Sequence, residues 1–502
     1  MNKSLTKSQW TASTLIVGAV LLGLVPLFWF ALSRGGWQSL RFDHSILSVL
    51  VFTLKQAFLS AVISIVLGLL VGRALARRDF LGKKILLSLF AVPFALPAIV
   101  AVLGVSTVYG NQGWFGGLLN IYGLKGILLV HVFFNLPLAA KVIHDALIGI
   151  APERFRLAAQ LSFSDRDVFW HVEWPVLRSI LPGIFSLIFL LCAASFVVVL
   201  TLGGPNATTL EVAIYQSLRM DFDVGRALAL SILQIMLCLV LVVAAARMVL
   251  QEYGSAQSRN VAHRFDGTTF IARSFDGAAI AIAILVVLPP LLAIGFSGFL
   301  NVKFDTSTLS AMGFSVVIGS GAAALALALA WPLAQLRHWA ALGLALAGLI
   351  VPPAVLATGW FLAFKSFDQS LFITMLAIIA LNGLMALPFS VAVLRSGFSQ
   401  MGESHNRLCD QLSVTGWNRF WHIDVPLMLP ALRQAGLLAF VMSLGDLTAV
   451  TMLGSQGLVT LPALIHQQMG NYRSNAAAGT TLILAASCYA LAVVAQRLGK
   501  SR

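Results

Sequence analysis

The sequence predicts an all-α polytopic membrane protein: about twelve transmembrane helices in two tandem six-helix halves of parallel orientation. Three observations predict it. The 502-residue chain is 59% hydrophobic and only 10% charged, where a soluble chain carries about a quarter charged residues. Its apolar stretches run unbroken for ~20 residues, the length of a bilayer-crossing helix, instead of alternating over ~10 as barrel strands do. And "RLAAQLSFSDRDVFWHVEWP" (156–175) returns as "RLCDQLSVTGWNRFWHIDVP" (407–426), nine of twenty positions being identical at a shift of 251.

Taken in order, the spans of the first half fall near 13–33, 49–72, 85–109, 126–150, 180–202 and 227–249. The first follows Lys3 and Lys7 and resembles a signal peptide, but its apolar run from Leu15 to Leu32 exceeds an ordinary signal core of ~7–15 residues, so it is read as a retained helix. The second is closed by the basic cluster "RALARRDFLGKK" (73–84). The second half repeats the series near 277–297, 311–334, 340–364, 371–394, 430–453 and 475–496. With both termini inside, only nine of the 33 Lys and Arg lie on the outer side: Arg34, Arg41, Lys55, Lys125, Arg219, Arg226, Lys303, Lys365 and Arg473. That asymmetry predicts cytoplasmic termini.

The repeat extends past the opening motif. Leu136-Pro137 matches Leu387-Pro388, Leu202-Gly203 matches Leu453-Gly454, and Gln216 matches Gln467; Pro97 and Gly104 match Pro352 and Gly359 at a shift of 255. Residues 1–250 form one half, with a cytoplasmic loop at about 151–179. Residues 251–276 form a polar linker, and 277–502 a second half with its loop at about 398–429. Six helices per half, an even number, give both halves the same orientation, a parallel repeat about an axis along the membrane normal. Such a pseudo-dimer places a pathway between its halves and offers two similar surfaces to two copies of one partner.

Those surfaces are the repeated loops. Leu157 and Leu161 stand one turn apart, as do Leu408 and Leu412, giving each first short helix an apolar ridge to dock on the bundle. Ser164 with Asp167 reads as a capping box for a second short helix, and Thr415 with Asn418 as a weaker one. That helix carries Phe169-Trp170-His171 or Phe420-Trp421-His422 and is expected to end near Pro175 or Pro426. From the residues alone, a bracket that caps helix ends and a dock for a partner both fit.

In position, length and closing Pro, the loop resembles the EAA loop of ABC importer permeases. Arg156-Leu157-Ala158 and Arg407-Leu408-Cys409 fall on the E-A-A positions. Ser162 and Ser413 fall on the Gly, Val172 and Ile423 on the hydrophobic position, and Pro175 and Pro426 on the Pro. Both acids are Arg and both glycines Ser, so the family's acidic partner contact does not transfer. Residues 200–227 are similar to a stretch of the bacterial thiamine permeases, and the second half resembles the fused permeases for iron and thiamine more broadly. The resemblance implies a multi-pass protein of the bacterial inner membrane. It also implies two ATP-binding subunits that use ATP and Mg, a periplasmic solute-binding protein of thiamine type, and a coupling role for the two loops. The implied cargo is thiamine or its phosphate esters, with ferric iron as the alternative.

The chain's own chemistry is sparse. It has no G-x-x-x-x-G-K-[ST] loop, no H-E-x-x-H and no G-x-S-x-G, so neither a cofactor, a metal site nor an enzyme activity is expected of it. Cys192, Cys238, Cys409 and Cys488 form no C-x-x-C pair. The net charge of +14 is explained by basic inner loops, with no basic aromatic stripe for nucleic acid. An ion-coupled carrier would keep acids or His at mid-membrane. Candidates are Asp446, expected inside the eleventh helix with Ser195 as its first-half counterpart, and His131, aligned with Asn382. Each reads either as a pathway contact or as a group satisfied by its helix neighbours. Glu211, Asp221 and Asp223 are placed in an outer loop beside Arg219 and Arg226, as simple ion pairs or a dock for the binding protein, and Glu211 is with Asp446 and Ser195 a candidate contact of the substrate pathway.

Overall fold

The computed structural model describes residues 7–33, 44–111, 113–116, 121–249, 264–336, 348, 350–364, 370–411, 416–454 and 457–500. Among them the secondary structure is helical. The first half holds α1 (Lys7–Ser33), α2 (His44–Arg77), α3 (Lys83–Leu89), α4 (Val92–Ala95), α5 (Ala98–Tyr109), α6 (Leu124–Ile148), α7 (Pro152–Gln160) and α8 (Asp165–Asp167). A π-helical turn (Val168–Glu173) follows, then α9 (Trp174–Ala193), α10 (Val197–Leu202), α11 (Leu210–Arg219) and α12 (Val224–Val249). The second half holds α13 (Phe270–Asn301), α14 (Thr306–Ala334), α15 (Pro353–Phe364), α16 (Leu371–Gln411) and α17 (Gly416–Arg419). A second π turn (Phe420–Asp424) leads to α18 (Val425–Leu444), α19 (Thr448–Leu453), α20 (Leu461–Gly470) and α21 (Ser474–Lys500).

Nine helices among the described residues are long and apolar enough to cross a membrane, and α5 and α15 are shorter apolar helices. With α21 they fall on the twelve expected spans. Three spans are broken where one helix was expected. The third is interrupted by Pro93, in the first turn of α4, and by Pro97, which caps α5, since proline lacks the N–H that an interior helical position needs. The fifth breaks between α9 and α10, and the eleventh between α18 and α19. After each of these lies a short helix, α11 or α20, that the sequence reading placed in loops. Both are anchored alike: Leu210 N donates to Thr53 Oγ1 at 3.0 Å, and Leu461 N to Ser315 Oγ at 2.9 Å.

The chain packs as two compact units that are drawn differently from the sequence halves. One holds residues 43–212 and 236–297, the other 1–42, 213–235 and 298–502. In the first, α2 lies along α6 because a stripe of small residues (Ser60, Ser64, Gly68 and Gly72) repeats every four positions. A Cβ on Gly68 would sit 2.5 Å from Ala139 Cβ, so glycine lets the backbones approach where apolar burial gives no advantage over lipid. The same unit seats α13, the first helix of the second sequence half, against α5: Gly104 abuts Ile294 and Pro290 O, and Tyr109 Oη donates to Leu285 O at 3.0 Å.

The other unit seats α1, the first helix of the first half, against α15. Gly359 lies so close to Gly23 O that a Cβ would stand 1.5 Å from it, and Trp360 Nε1 donates to Ala19 O at 3.0 Å. The repeat-related glycines Gly104 and Gly359 therefore do the same work, each receiving the other half's leading helix. In this unit α14 packs on α16 and α18, with Gly383 against Leu325 and Gly319 against Phe440.

Candidate functional site

The first repeated loop is built from α7, α8 and the π turn. Pro152 stands in the first turn of α7, where its missing N–H costs nothing, and Glu153 faces the positive helix end. The helix buries Phe155 and Ala158 and leaves Arg156 exposed. Leu157 and Leu161, expected to dock inward, are 57% and 58% exposed. The outcome is the reverse of the expectation because Phe155 wins the inward face: it joins the core with Val168, Val172 and Leu177, and the guanidinium of Arg264 lies over its ring at 4.7 Å. The leucine ridge therefore points away from the bundle.

The end of α7 explains the Gly position of the resemblance. Phe163 N donates to Ala158 O and Ser162 N to Ala159 O, both at 3.0 Å, the paired bonds of a Schellman closure. Ser162 is the left-handed residue of that closure, with φ 53°, the place where glycine is ordinarily found. Ser164 then caps α8 in a reciprocal box with Asp167, as expected. Pro175 does not end the helix. It sits in the first turn of α9, and the run from Asp165 to Ala193 is continuous. The widened π turn before it accommodates a ring that clashes with an ordinary α-helical ladder. His171 Nδ1 donates to Asp167 O at 3.0 Å, and Trp170 is about half exposed.

Beneath this loop lies a buried ionic network. Glu173 is 0% exposed; it accepts from Arg73 Nε at 2.6 Å and from Arg264. Arg264 also bonds Asp266 at 2.8 Å, Arg77 pairs with Asp266 at 2.7 Å, and Arg78 with Asp276 at 2.8 Å. Asp165 accepts from Gly267 N at 2.8 Å. Burial alone would raise the Asp266 carboxyl, but Arg264 and Arg77 outweigh it and hold it below the ordinary carboxylate range. Residues 264–267, the end of the linker, are thus tied to the first loop. In sequence, Arg73, Arg77 and Arg78 mark only the cytoplasmic side of the second span. A signal was present, since Glu173 has an acid, Asp424, at its repeat position.

The second loop is simpler. Arg407, Leu408 and Cys409 belong to the end of α16, a single helix of 41 residues, not to a separate short helix; no proline interrupts it as Pro152 interrupts the first half. Cys409 is buried like its counterpart Ala158. Leu412, Ser413 and Thr415 lie outside the described residues. The π turn recurs, with His422 Nδ1 donating to Asn418 O at 3.1 Å, and Pro426 again enters the next helix in its first turn. Trp417 is 71% exposed and Trp421 half exposed, both packed on Phe420. Among the described residues the loop's ion pair is Arg419 with Asp424 at 3.4 Å.

The polar groups of the spans fall into place locally. His131 is buried, with Ser60 Oγ at 2.9 Å from Nδ1 and Ser195 Oγ at 2.9 Å from Nε2; its counterpart Asn382 donates to Ser443 Oγ at 2.9 Å. Asp446 is not inside a helix. It occupies the break before α19 and accepts from Thr448 N at 3.1 Å and Ala449 N at 2.9 Å, capping that helix. Glu211 is only 1% exposed in the first turn of α11, so it is not an exposed outer acid. Arg219 donates to Gly454 O at 3.2 Å and lies over Phe361, away from the expected acid pairs, while Asp223 caps α12 at Arg226 N. All four Cys are buried, and none forms a disulfide among the described residues.

A family model described as "Binding-protein-dependent transport system inner membrane component" matches residues 322–501. Full-length relatives are thiamine transport system permease proteins. The chain is 38% identical to that of Brucella abortus strain 2308, covering 97% of this chain and 93% of the relative. It is 36% identical to that of Escherichia coli K12, covering 97% and 95%, and 36% identical to that of Haemophilus influenzae, covering 94% of each.

Proposed function

Because this chain belongs to the fused inner-membrane permeases of binding-protein-dependent transport systems, we propose that it forms the path by which an ATP-driven importer carries thiamine into the cytoplasm. The observation that carries the reading is likeness to thiamine permeases along nearly the entire length of both chains. Thiamine phosphate esters are included as cargo. The chain is a transporter subunit of the multi-pass inner-membrane class, and ATP and Mg belong to the partner ATPase.

In this reading two copies of the ATP-binding subunit dock on the two repeated loops from the cytoplasmic side, where both termini also lie. The first loop offers Leu157, Leu161 and Trp170, and the second Trp417 and Trp421, all exposed. Exposed Trp and Arg side chains of this kind are enriched among the residues that dominate protein–protein docking. Arg156, exposed on the same helix, and its repeat Arg407 replace the family's acid, so their counterpart on the ATPase is an acid or a carbonyl. The loops continue without a break into α9 and α18 through the π turns, so closure of the ATPase pair would move those helices as rigid levers between two states. A thiamine-binding protein delivers cargo on the other face. Asp446 and Ser195, at equivalent breaks in the two halves, are the proposed polar contacts of the path.

The test is uptake of labelled thiamine into proteoliposomes holding the permease, the ATPase and the binding protein. Uptake should require all three proteins and ATP on the ATPase side. Transport by this chain alone on a proton or sodium gradient, the behaviour of an ion-coupled carrier, would sink the proposal. Transport of ferric iron in place of thiamine would overturn the cargo alone. Ala158→Pro combined with Cys409→Pro is expected to leave basal ATPase activity and abolish its coupling to uptake.

A further inference from the structure

One cavity in the second unit is not used by the coupling loops. Its volume is about 480 Å³, and it opens between α14, α18 and α21, lined by Ala323, Leu327, Leu437, Phe440 and Leu491, with Arg433 as the single charge. That volume lies in the usual range for small-ligand sites, ~300–1,000 Å³. Arg433 is exposed and has no carboxylate partner among the described residues.

The internal repeat shows that the residues lining this cavity differ between the halves. At the shift of 251, Leu432 and Phe440 keep their types as Leu181 and Phe189, but Arg433 becomes Pro182 and Gly436 becomes Phe185. In the first unit the Phe185 ring occupies that position, packed on Phe58 at 5.9 Å and Phe189 at 5.8 Å. The second half thus has Gly436 where the first has the plug, and carries Arg433 three residues earlier, where the first has Pro182. Arg433 stands three residues into the span expected from about residue 430, on its cytoplasmic side. A long basic side chain there reaches the lipid headgroups, where an anionic one is favoured.

We propose that this cavity binds one anionic phospholipid, an acyl chain lying in the groove of Leu327, Leu437, Phe440 and Leu491 and its phosphate against the Arg433 guanidinium. The apolar lining excludes a hydrated or polar cargo, and the surrounding solvent of a membrane helix is lipid. A guanidinium holds a phosphate through paired N–H donors, which gives the site its preference for a lipid with net negative charge. Among the described residues the first half fills the equivalent position with Phe185, so one such site is expected.

Native mass spectrometry of the full chain, with phosphatidylglycerol and phosphatidylethanolamine of matched chains as probes, tests this. One phosphatidylglycerol should be retained in preference to phosphatidylethanolamine. Arg433→Gln should lower that retention about fivefold, the loss expected for one basic contact to an anionic headgroup. Leu437→Trp, which fills the groove and keeps the charge, should remove retention of both lipids at this site; it also serves if the Arg433 variant fails to fold. Equal retention of the two lipids by the wild type overturns the anionic preference. Unchanged phosphatidylglycerol binding in Leu437→Trp, or displacement of the lipid by thiamine, overturns the site.

Discussion

Ser162 holds a backbone conformation that costs an L-residue about 1–2 kcal/mol, with its φ of 53°. Ser162→Gly is therefore expected to stabilise the loop by about 1 kcal/mol, less the entropy glycine adds to the unfolded chain. The apparent melting temperature of the purified chain should rise or stay level; a clear fall would show that the Ser side chain has a contact of its own. Glu173 sits at the opposite extreme, fully buried between two guanidiniums. Removing one partner of a buried ion cluster costs about 3–5 kcal/mol, so Glu173→Gln should sharply lower stability. Asp424→Asn, at the looser pair with partly exposed Arg419, should cost at most about 1 kcal/mol. Equal effects would mean that the network adds nothing beyond the pair. Asp266 gives the cluster a pH signature. Its folded carboxyl is depressed, with burial opposing and Arg264 and Arg77 prevailing. The stability it contributes is therefore complete above the unfolded value of about 3.9 and is lost as pH falls through the lower folded value. Protection of Gly267 N against hydrogen exchange, taken relative to the intrinsic rate at each pH, should fall in that acid window, since this amide is bonded to Asp165 within the same cluster.

At the scale of elements, the breaks in the spans matter more than the spans. Continuous apolar sequence gives no warning that α9 and α18 each stop and restart after three residues. Apolar composition reports burial in lipid, and only packing reports where the backbone turns. Asp446 illustrates this: in sequence it reads as an acid inside a membrane helix, and in the structure it caps α19. Asp446→Asn keeps an acceptor for one of those amides and turns an NH2 toward the other, so it should cost about 1 kcal/mol of stability. Any loss of transport beyond what that destabilisation explains would support the proposed place of Asp446 in the path. Crossings of helices depend on glycine in the same local way. Gly359→Ala would drive a Cβ to 1.5 Å from Gly23 O, a backbone atom that cannot turn aside. Gly104→Ala would meet the movable end of Ile294 at 2.7 Å as well as Pro290 O at 2.9 Å. Overpacking of this kind costs about 1–3 kcal/mol or more, and the loss of thermal stability should be greater for Gly359→Ala.

For the whole molecule, the two compact units each combine most of one sequence half with the leading helix of the other. Cutting the chain in the linker therefore should not yield two independently stable halves. Co-expressed fragments 1–257 and 258–502 are expected to be recovered together, because α1 and α13 each pack in the opposite unit; separate, monodisperse fragments would contradict that exchange. The ionic network adds a second asymmetry. It ties the linker end at residues 264–267 to the first loop, and the described part of the second loop has no equivalent cluster. The two loops can therefore share a partner and still differ in stiffness.

The sequence by itself determined the membrane class, the tandem repeat, the positions of the spans and the paired loops. Each of these follows from apolar length or from identity at a fixed shift, both of which are local along the chain. It also determined the Ser164–Asp167 box, whose partners are three residues apart. Tertiary structure alone decided that Phe155 and not Leu157 faces the core, because two apolar residues on one short helix compete for one cavity whose shape is made by distant helices. It also decided that Arg73, Arg77 and Arg78 are partly spent on buried acids up to 198 positions away, and that each half's first helix lies in the other unit. Those outcomes rest on contacts between residues far apart in sequence, for which a single chain read in order carries the partners but not their meeting.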